Sequence, residues 1–336
     1  MREAVAALTT EHVAAETKAD LLAALHRKGE TPEEITAFAL ALRELSVPPL
    51  IDDALRHDIL LDVVGTGGDQ LNTFNISTAT ALLAAAAGVR VAKHGNRAVT
   101  SQTGSADVLE ALGIRIDLGP QEAGRFLQAH GFVFFFAPNY HPAFRHIAPA
   151  RKLCAARGQR TIFNFLGPLL NPAHPNAQLM GVPRPELCEP LARVLQSLGV
   201  LRGMVVCGSA PRANQPPAFM DELSILGENS VAEFYHERGF ATSQLPAGML
   251  PVGPATLDDL RGGDRATNAE LIRRLFRGEE RGARREAVLL NTSAALFVAN
   301  HARSLTEGWE LAERLLDEGR AAAKLQELVD ASRHVD

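Results

Sequence analysis

Between Asp62 and Gly104 the chain reads DVVGTGGDQLNTFNISTATALLAAAAGVRVAKHGNRAVTSQTG. Gly65, Gly67 and Gly68 stand directly behind an apolar run, where they permit turns and a close backbone approach that a Cβ would block. Asn75, Ser77 and Thr78 then open an alanine-rich run. Three hydrogen-bonding side chains in four residues exceed what one helix cap requires. Their oxygens also suit phosphate groups or a magnesium ion. Lys93 and Arg97 add positive charge, the arginine in a fork that matches phosphate oxygens, and Ser101, Thr103 and Ser105 follow. Together these residues describe a grip on a phosphorylated ligand. Two familiar phosphate templates are absent: there is no GxxxxGK[ST], and GxGxxG is broken at Gln70.

Such a grip needs its loops gathered at one end of a sheet. Ile59 to Val64 reads as a strand ending at the glycine turn, Asn75 as a helix start, Val89 to Ala92 as a second strand, and Lys93 to Arg97 as a basic loop. Downstream, Gly113 to Leu118, Phe132 to Ala137, Gln178 to Val182 and Gly203 to Cys207 read as strands. Asp107 to Leu112, Gln121 to His130 and Pro185 to Leu198 read as helices. This alternation predicts an α/β fold with a mostly parallel central sheet flanked by helices. Arg212 to Phe219 reads as a proline-punctuated surface loop, and Asn268 to about Ser332 as helical. Residues 1–58 read as helices only. Thr31-Pro32-Glu33-Glu34 is a capping box with proline at the first helical position, and Ile35, Phe38, Ala39 and Leu42 share one face. The expected division is a helical domain over 1–58, completed by a segment near 150–166, and an α/β domain over 59–336.

Composition narrows the function classes. The 336 residues carry a net charge of −5, which opposes bulk attraction to nucleic acid or an anionic membrane. The apolar run Ala79 to Val89 is too short to span a bilayer, and the N-terminus has no signal-like core. Cys154, Cys188 and Cys207 are too scattered for a zinc site or a disulfide framework, so reduced thiols in the cytoplasm are expected.

GTGGD, TFNIST, VAKHGNRAVTS and GSADVLEALG, in this order and spacing, resemble the anthranilate phosphoribosyltransferases, which share a broad fold group with the pyrimidine nucleoside phosphorylases. The similarity continues through NYHPAFRHIAPAR, TIFNFLGPLLNPA, QLMGV, Met220 to Ser224 and LNTSAALFVA, and so covers nearly the whole chain. The resemblance implies a magnesium-dependent, homodimeric transferase of tryptophan biosynthesis. Such an enzyme joins the amine of anthranilate to C1 of phosphoribosyl pyrophosphate (PRPP) and releases pyrophosphate. It places PRPP against Gly65, Gly68, Asp69, Thr73, Asn75, Ile76, Ser77 and Thr78. The same site takes in Lys93, His94, Gly95, Asn96, Arg97, Ala98, Val99, Thr100, Ser101 and Ser105. Lys93 and Arg97 would be catalytic, acting on the leaving pyrophosphate. Ser77, Asp221 and Glu222 match the magnesium ligands. Gly65, Asn96 and Arg151 match positions that contact anthranilate, with His94 and His141 in the acceptor channel.

Adjacent acids on a regular strand face opposite ways, so a shared metal role for Asp221 and Glu222 requires an irregular backbone there. The chain also departs from the family pattern. Gln70 replaces a glycine, Gln102 a lysine and Cys207 a histidine. The segments Arg151 to Arg160 and Ser209 to Phe219 are longer, and the first helix of the dimerising region is expected to be missing. These departures leave open a different aromatic or heterocyclic acceptor. Two further alternatives are a nucleoside phosphorylase and a non-catalytic nucleic-acid-binding relative, the latter disfavoured by the charge.

Overall fold

The computed structural model describes residues 1–98, 102–212, 215–236 and 238–334. The N-terminal block forms α1 (Arg2–Thr9), α2 (Ala15–Lys28), α3 (Pro32–Arg43) and the short α4 (Asp53–His57). The Thr31 hydroxyl accepts from the Glu34 amide, and the Glu34 carboxylate accepts from the Thr31 amide. This closes the capping box that the sequence announces. Ile35, Phe38, Ala39 and Leu42 are buried on the face that their spacing selects.

From Leu60 the chain alternates. The order is β1 (Leu60–Gly65), α5 (Ile76–Ala86), β2 (Arg90–Gly95), α6 (Ser105–Leu112), α7 (Pro120–His130) and β3 (Phe132–Phe136). Three short helices follow: α8 (Ala137–Tyr140), α9 (Ala148–Ala156) and α10 (Phe163–Leu166). Then come β4 (Ala177–Gly181), α11 (Cys188–Ser197), β5 (Arg202–Arg212), β6 (Gln215–Met220), β7 (Asn229–Tyr235) and β8 (Arg238–Leu245). Helices α12 (Arg265–Phe276), α13 (Ala283–Val298), α14 (Leu305–Asp317) and α15 (Arg320–Ser332) close the chain.

Among the described residues the strands form one sheet in the order β3-β2-β1-β4-β5-β7-β8, with β6 paired to β5. The five strands from β3 to β5 run parallel, and β6, β7 and β8 add antiparallel pairs. The order reverses between β1 and β4. In an open α/β sheet that reversal leaves a crevice beyond the strands' C-terminal ends, where ligands settle.

The sheet separates two cores. β4 sends Leu179 into the core shared with α5 and the C-terminal helices, and Met180 into the core shared with α1 to α3. Ile147, Ala150, Cys154 and Phe163 enter that second core, so the N-terminal helices pack against a segment more than 100 residues away.

Three expectations need correction. Gly113 to Leu118 alternates as a strand should, and Ile114, Ile116 and Leu118 are buried. Yet among the described residues it pairs with no strand, because its amides are taken elsewhere: Ile114 donates to Leu109 O and Arg115 to Ser332 Oγ on α15. Gln215 to Met220 is strand rather than loop; Pro216 and Pro217 sit in its outer half, where a missing donor is tolerated. The basic loop is shorter than expected. β2 runs on to Gly95, held by pairing of Lys93, His94 and Gly95 with Phe134 to Phe136 of β3.

Candidate active site

Gly65 ends β1 beside Gly181, which ends β4, and Asp221 lies across both. A Cβ on Gly181 would fall 1.5 Å from the Asp221 carbonyl oxygen, and one on Gly65 2.2 Å from its Oδ2. Two glycines in register therefore make the seat for one aspartate. The chain leaves β6 at Met220, and the bend that follows is the irregular backbone needed to turn neighbouring carboxylates together. Carboxylate oxygens of Asp69, Asp221 and Glu222 lie within 4.8 Å of one another. Asp221 Oδ2 also accepts from the Gly67 amide at 2.6 Å, tying the cluster to the glycine loop.

Bringing three acids together out of water raises all three. Burial, then repulsion from Asp69, pushes Asp221 up to about 7. Burial, then Asp221 and Asp69, holds Glu222 well above the carboxylate range, and burial raises Asp69. Asp69 Oδ2 and Glu222 Oε2 are buried without a partner. An all-oxygen cluster with uncompensated charge and two open oxygens fits a hard divalent cation such as magnesium. Ser77 stands beside it, its backbone amide facing the Glu222 carboxylate.

The glycine loop is wound by left-handed residues: Gly67 at φ 71°, Gly68 at 87°, Gln70 at 59° and Asn72 at 55°. Its far end is stitched to the chain before α12, where Phe74 donates to Leu260 O and Gly262 to Asn72 O. Asn75 does not cap α5. Its side-chain Nδ2 donates to Thr103 O at 3.2 Å, and its Oδ1 accepts from Asn268 Nδ2 at 2.9 Å, so the residue joins three segments.

Lys93 is buried beneath this loop, with Nζ donating to Val63 O and to Ser77 Oγ at 3.4 Å. Burial lowers it to about 8, against the pull of Asp62, Glu222 and Asp221. Arg97 lines the cleft as expected, with its guanidinium held by neighbouring acids. Nη1 donates to Asp107 and Glu110 at 3.1 and 2.9 Å, and Nη2 to Glu110 at 3.1 Å, so its fork is already matched by carboxylates. Asp107 also accepts from the amides of Ala98 and Gly104 at 2.9 Å, which sets the loop between β2 and α6.

These groups line one cleft of about 480 Å³. Of the residues singled out from sequence, it gathers Gly65, Gly68, Asp69, Thr73, Asn75, Ser77, Lys93, His94, Gly95, Asn96, Arg97, Ala98, Ser105, Arg151, Asp221 and Glu222. Ile76 and Thr78 do not line it; both are fully buried on the core side of α5, where helical spacing turns them. His141 lies behind His94, ring centroids 5.2 Å apart. Burial, then His141, lowers His94 to about 3, and burial lowers His141 to about 4, so both rings are neutral. Val99, Thr100 and Ser101 lie outside the described residues.

The other half of the cleft was missed from sequence. His26 of α2, Arg160, Thr161, Phe163 and Phe165 around α10, and Pro183, Arg184 and Leu187 complete it. Arg151 of α9 sits with its guanidinium 5.1 Å from the Phe163 ring, and no carboxylate pairs with it among the described residues. The TIFNFLGPLLNPA stretch carried the only available signal for Phe163 and Phe165. His26 had none.

Comparison with known proteins gives the family of the chain. The profile of the glycosyl transferase family a/b domain matches residues 57–322, and that of the family's helical bundle domain matches residues 1–46. The anthranilate phosphoribosyltransferase of Petrotoga mobilis is 46% identical over 92% of this chain and 85% of its own length. The crystal structure of anthranilate phosphoribosyltransferase from Thermus thermophilus aligns with a TM-score of 0.87 at 42% identity, over 99% of this chain and 94% of that one. The Saccharomyces cerevisiae enzyme in complex with PRPP and Mg aligns at 0.81 and 27% identity, over 95% of this chain and 85% of that one. This chain belongs to the anthranilate phosphoribosyltransferase family.

Proposed function

We propose that this protein transfers the phosphoribosyl group of PRPP to the amine of anthranilate and releases pyrophosphate, a step of tryptophan biosynthesis. The observation that carries the reading is the carboxylate cluster seated on Gly65 and Gly181, facing a glycine loop at the sheet's reversal point. Breaking the C1–O bond leaves positive charge on the ribose and negative charge on the pyrophosphate. Amides of the Gly67–Asn72 loop and the Lys93 ammonium lie where they stabilise that leaving group. Asp69, Asp221 and Glu222, with Ser77 beside them, would hold magnesium, which when bound offsets diphosphate charge. Arg97, committed to Glu110 and Asp107, works mainly by shaping its loop.

The acceptor enters from the side of the N-terminal helices. Arg151 supplies an unmatched cation for the anthranilate carboxylate, and the Phe163 face beneath it fixes the approach. His94 and Asn96 close the wall between the two substrates. An aromatic amine needs only a positioned, activated C1, so positioning supplies most of the rate. Anthranilate fluorescence in the presence of PRPP and magnesium tests the reading. The expected result is loss of anthranilate signal that requires both. No consumption at high enzyme concentration defeats it.

Two organisational readings accompany this one. Residues 1–58 with the segment near 150–166 form the helical domain and 59–336 the α/β domain, supported by the shared core of α1 to α3 with α9 and α10. The protein is a homodimer whose contact includes the exposed leucines Leu21, Leu40 and Leu45 of the α2–α3 region. Light scattering showing a monomer at micromolar concentration would refute that. No described helix is long and apolar enough to cross a membrane. Three buried free cysteines are in keeping with a cytoplasmic setting.

A further inference from the structure

Four successive carbonyls in the turn Gly167–Leu170 each face a buried side chain from a different part of the chain. Gln178 Nε2 donates to Pro168 O at 2.8 Å and Arg43 Nε to Leu169 O at 2.7 Å, while the His94 and His141 rings face the flanking carbonyls of Gly167 and Leu170. Nε2 of both histidines is buried without a partner, so it is Nδ1 that faces the carbonyl in each ring. The next residue, Asn171, donates to Asp62 at 2.9 Å and to Ala92 O at 2.7 Å, anchoring the turn to β1 and β2. A short segment thus fixes the ring of His94, which lines the cleft.

Arg43 differs from the other three side chains. It comes from the end of α3, among the N-terminal helices, 126 residues from its acceptor. It is 8% exposed, and no carboxylate pairs with it among the described residues. Burying an unmatched guanidinium is costly, and a neutral amide could donate to the same carbonyl. The charge has a target all the same. It opposes protonation of His94 and His141, reinforcing the effect of burial on both. The bond lies within the core shared by α1 to α3, α9 and α10, and Asn171 carries that tie on to β1 and β2.

We propose that Arg43 is a positioning residue for the acceptor: by holding Leu169 it fixes the Gly167–Leu170 turn, and through Gly167 the His94 ring at the cleft wall. This rests on the reading of His94 as an acceptor-side group. Steady-state kinetics with anthranilate, PRPP and magnesium on Arg43→Met, Arg43→Lys and Gln178→Met tests it. Arg43→Met is expected to raise the KM for anthranilate about tenfold, the loss of one charged hydrogen bond. The KM for PRPP should stay within about twofold. Arg43→Lys, which keeps a charge and a donor, should recover most of the loss, and Gln178→Met should shift the same constant by less. Equal changes in both constants, no change in either, or a lysine variant as impaired as the methionine one overturns the proposal. If Arg43→Met does not fold, an unchanged anthranilate KM in Gln178→Met overturns it. Wild-type enzyme inert toward anthranilate would instead refute the proposed function.

Discussion

On the proposed function the two halves of the cleft both take anionic groups, yet they are built by different rules. The diphosphate half comes from short contiguous loops at the C-terminal edge of β1, β2 and β4, and it works largely through backbone geometry. Left-handed turns, two glycines in register and the amide of Gly67 do what side chains would otherwise have to do. The acceptor half takes between one and three side chains each from α2, α9, α10 and the turn before α11. Backbone constraints allow few residue types, whereas a wall of side chains can be assembled in many ways. The first half is therefore rigid in its demands, and the second is where specificity can be altered without loss of the fold.

The sharpest way to break this contrast is at the metal cluster. Asp221→Asn with Glu222→Gln keeps shape and removes two charges, and turnover is expected to fall by at least about a hundredfold. The magnesium concentration for half-maximal rate should rise at the same time. A magnesium titration identical to wild type would show that the cluster is ordinary acidity. Next in size is Gly181→Ala. Its methyl group would meet backbone rather than a movable side chain, so a stability loss of about 3 kcal/mol is expected. Chemical denaturation measures this, and an alanine variant of wild-type stability would mean that the Asp221 seat is softer than the glycine pair implies.

The same division explains what could be read beforehand. Gly65 to Asp69, Asn75 to Ser77 and Lys93 to Arg97 are legible because each is a run of unusual types at an element boundary, and the strand pattern puts those boundaries at one edge. The periodic helix around Ile35 to Leu42 is legible for the same local reason. Gly181 falls within QLMGV, yet nothing local says that Asp221, 40 residues on, needs its missing Cβ. Arg97 looks like a free phosphate fork until Glu110 and Asp107 are seen beside it. Gly113 to Leu118 has the right alternation, but pairing depends on where its amides find acceptors, which periodicity does not encode. His26 and Arg160 are polar residues on surface elements, and only packing of the N-terminal helices against α9 turns them toward a common space.

Within the acceptor half, Arg151→Ala is the direct test. It removes a cation with no carboxylate partner among the described residues, so the fold should tolerate it. The KM for anthranilate is expected to rise about tenfold while that for PRPP hardly moves. Were both constants to stay put, the acceptor carboxylate would have to be met elsewhere, with Arg160 and Arg184 as the remaining arginines of that wall.

The smallest expected effect probes whether the diphosphate half depends on backbone alone. Gln70 holds φ 59°, a region that costs an L-residue about 1–2 kcal/mol and glycine almost nothing. Glycine returns about 0.5–1 kcal/mol of that through the freer unfolded chain. Gln70→Gly should therefore stabilise the protein slightly, with a rise in Tm of about 1–2 °C. Asn72, left-handed at 55°, offers no such gain, because asparagine tolerates that region far better. If instead Tm falls and the KM for PRPP rises, the Gln70 side chain holds the loop in shape. Side chains would then matter in the diphosphate half as they do in the acceptor half.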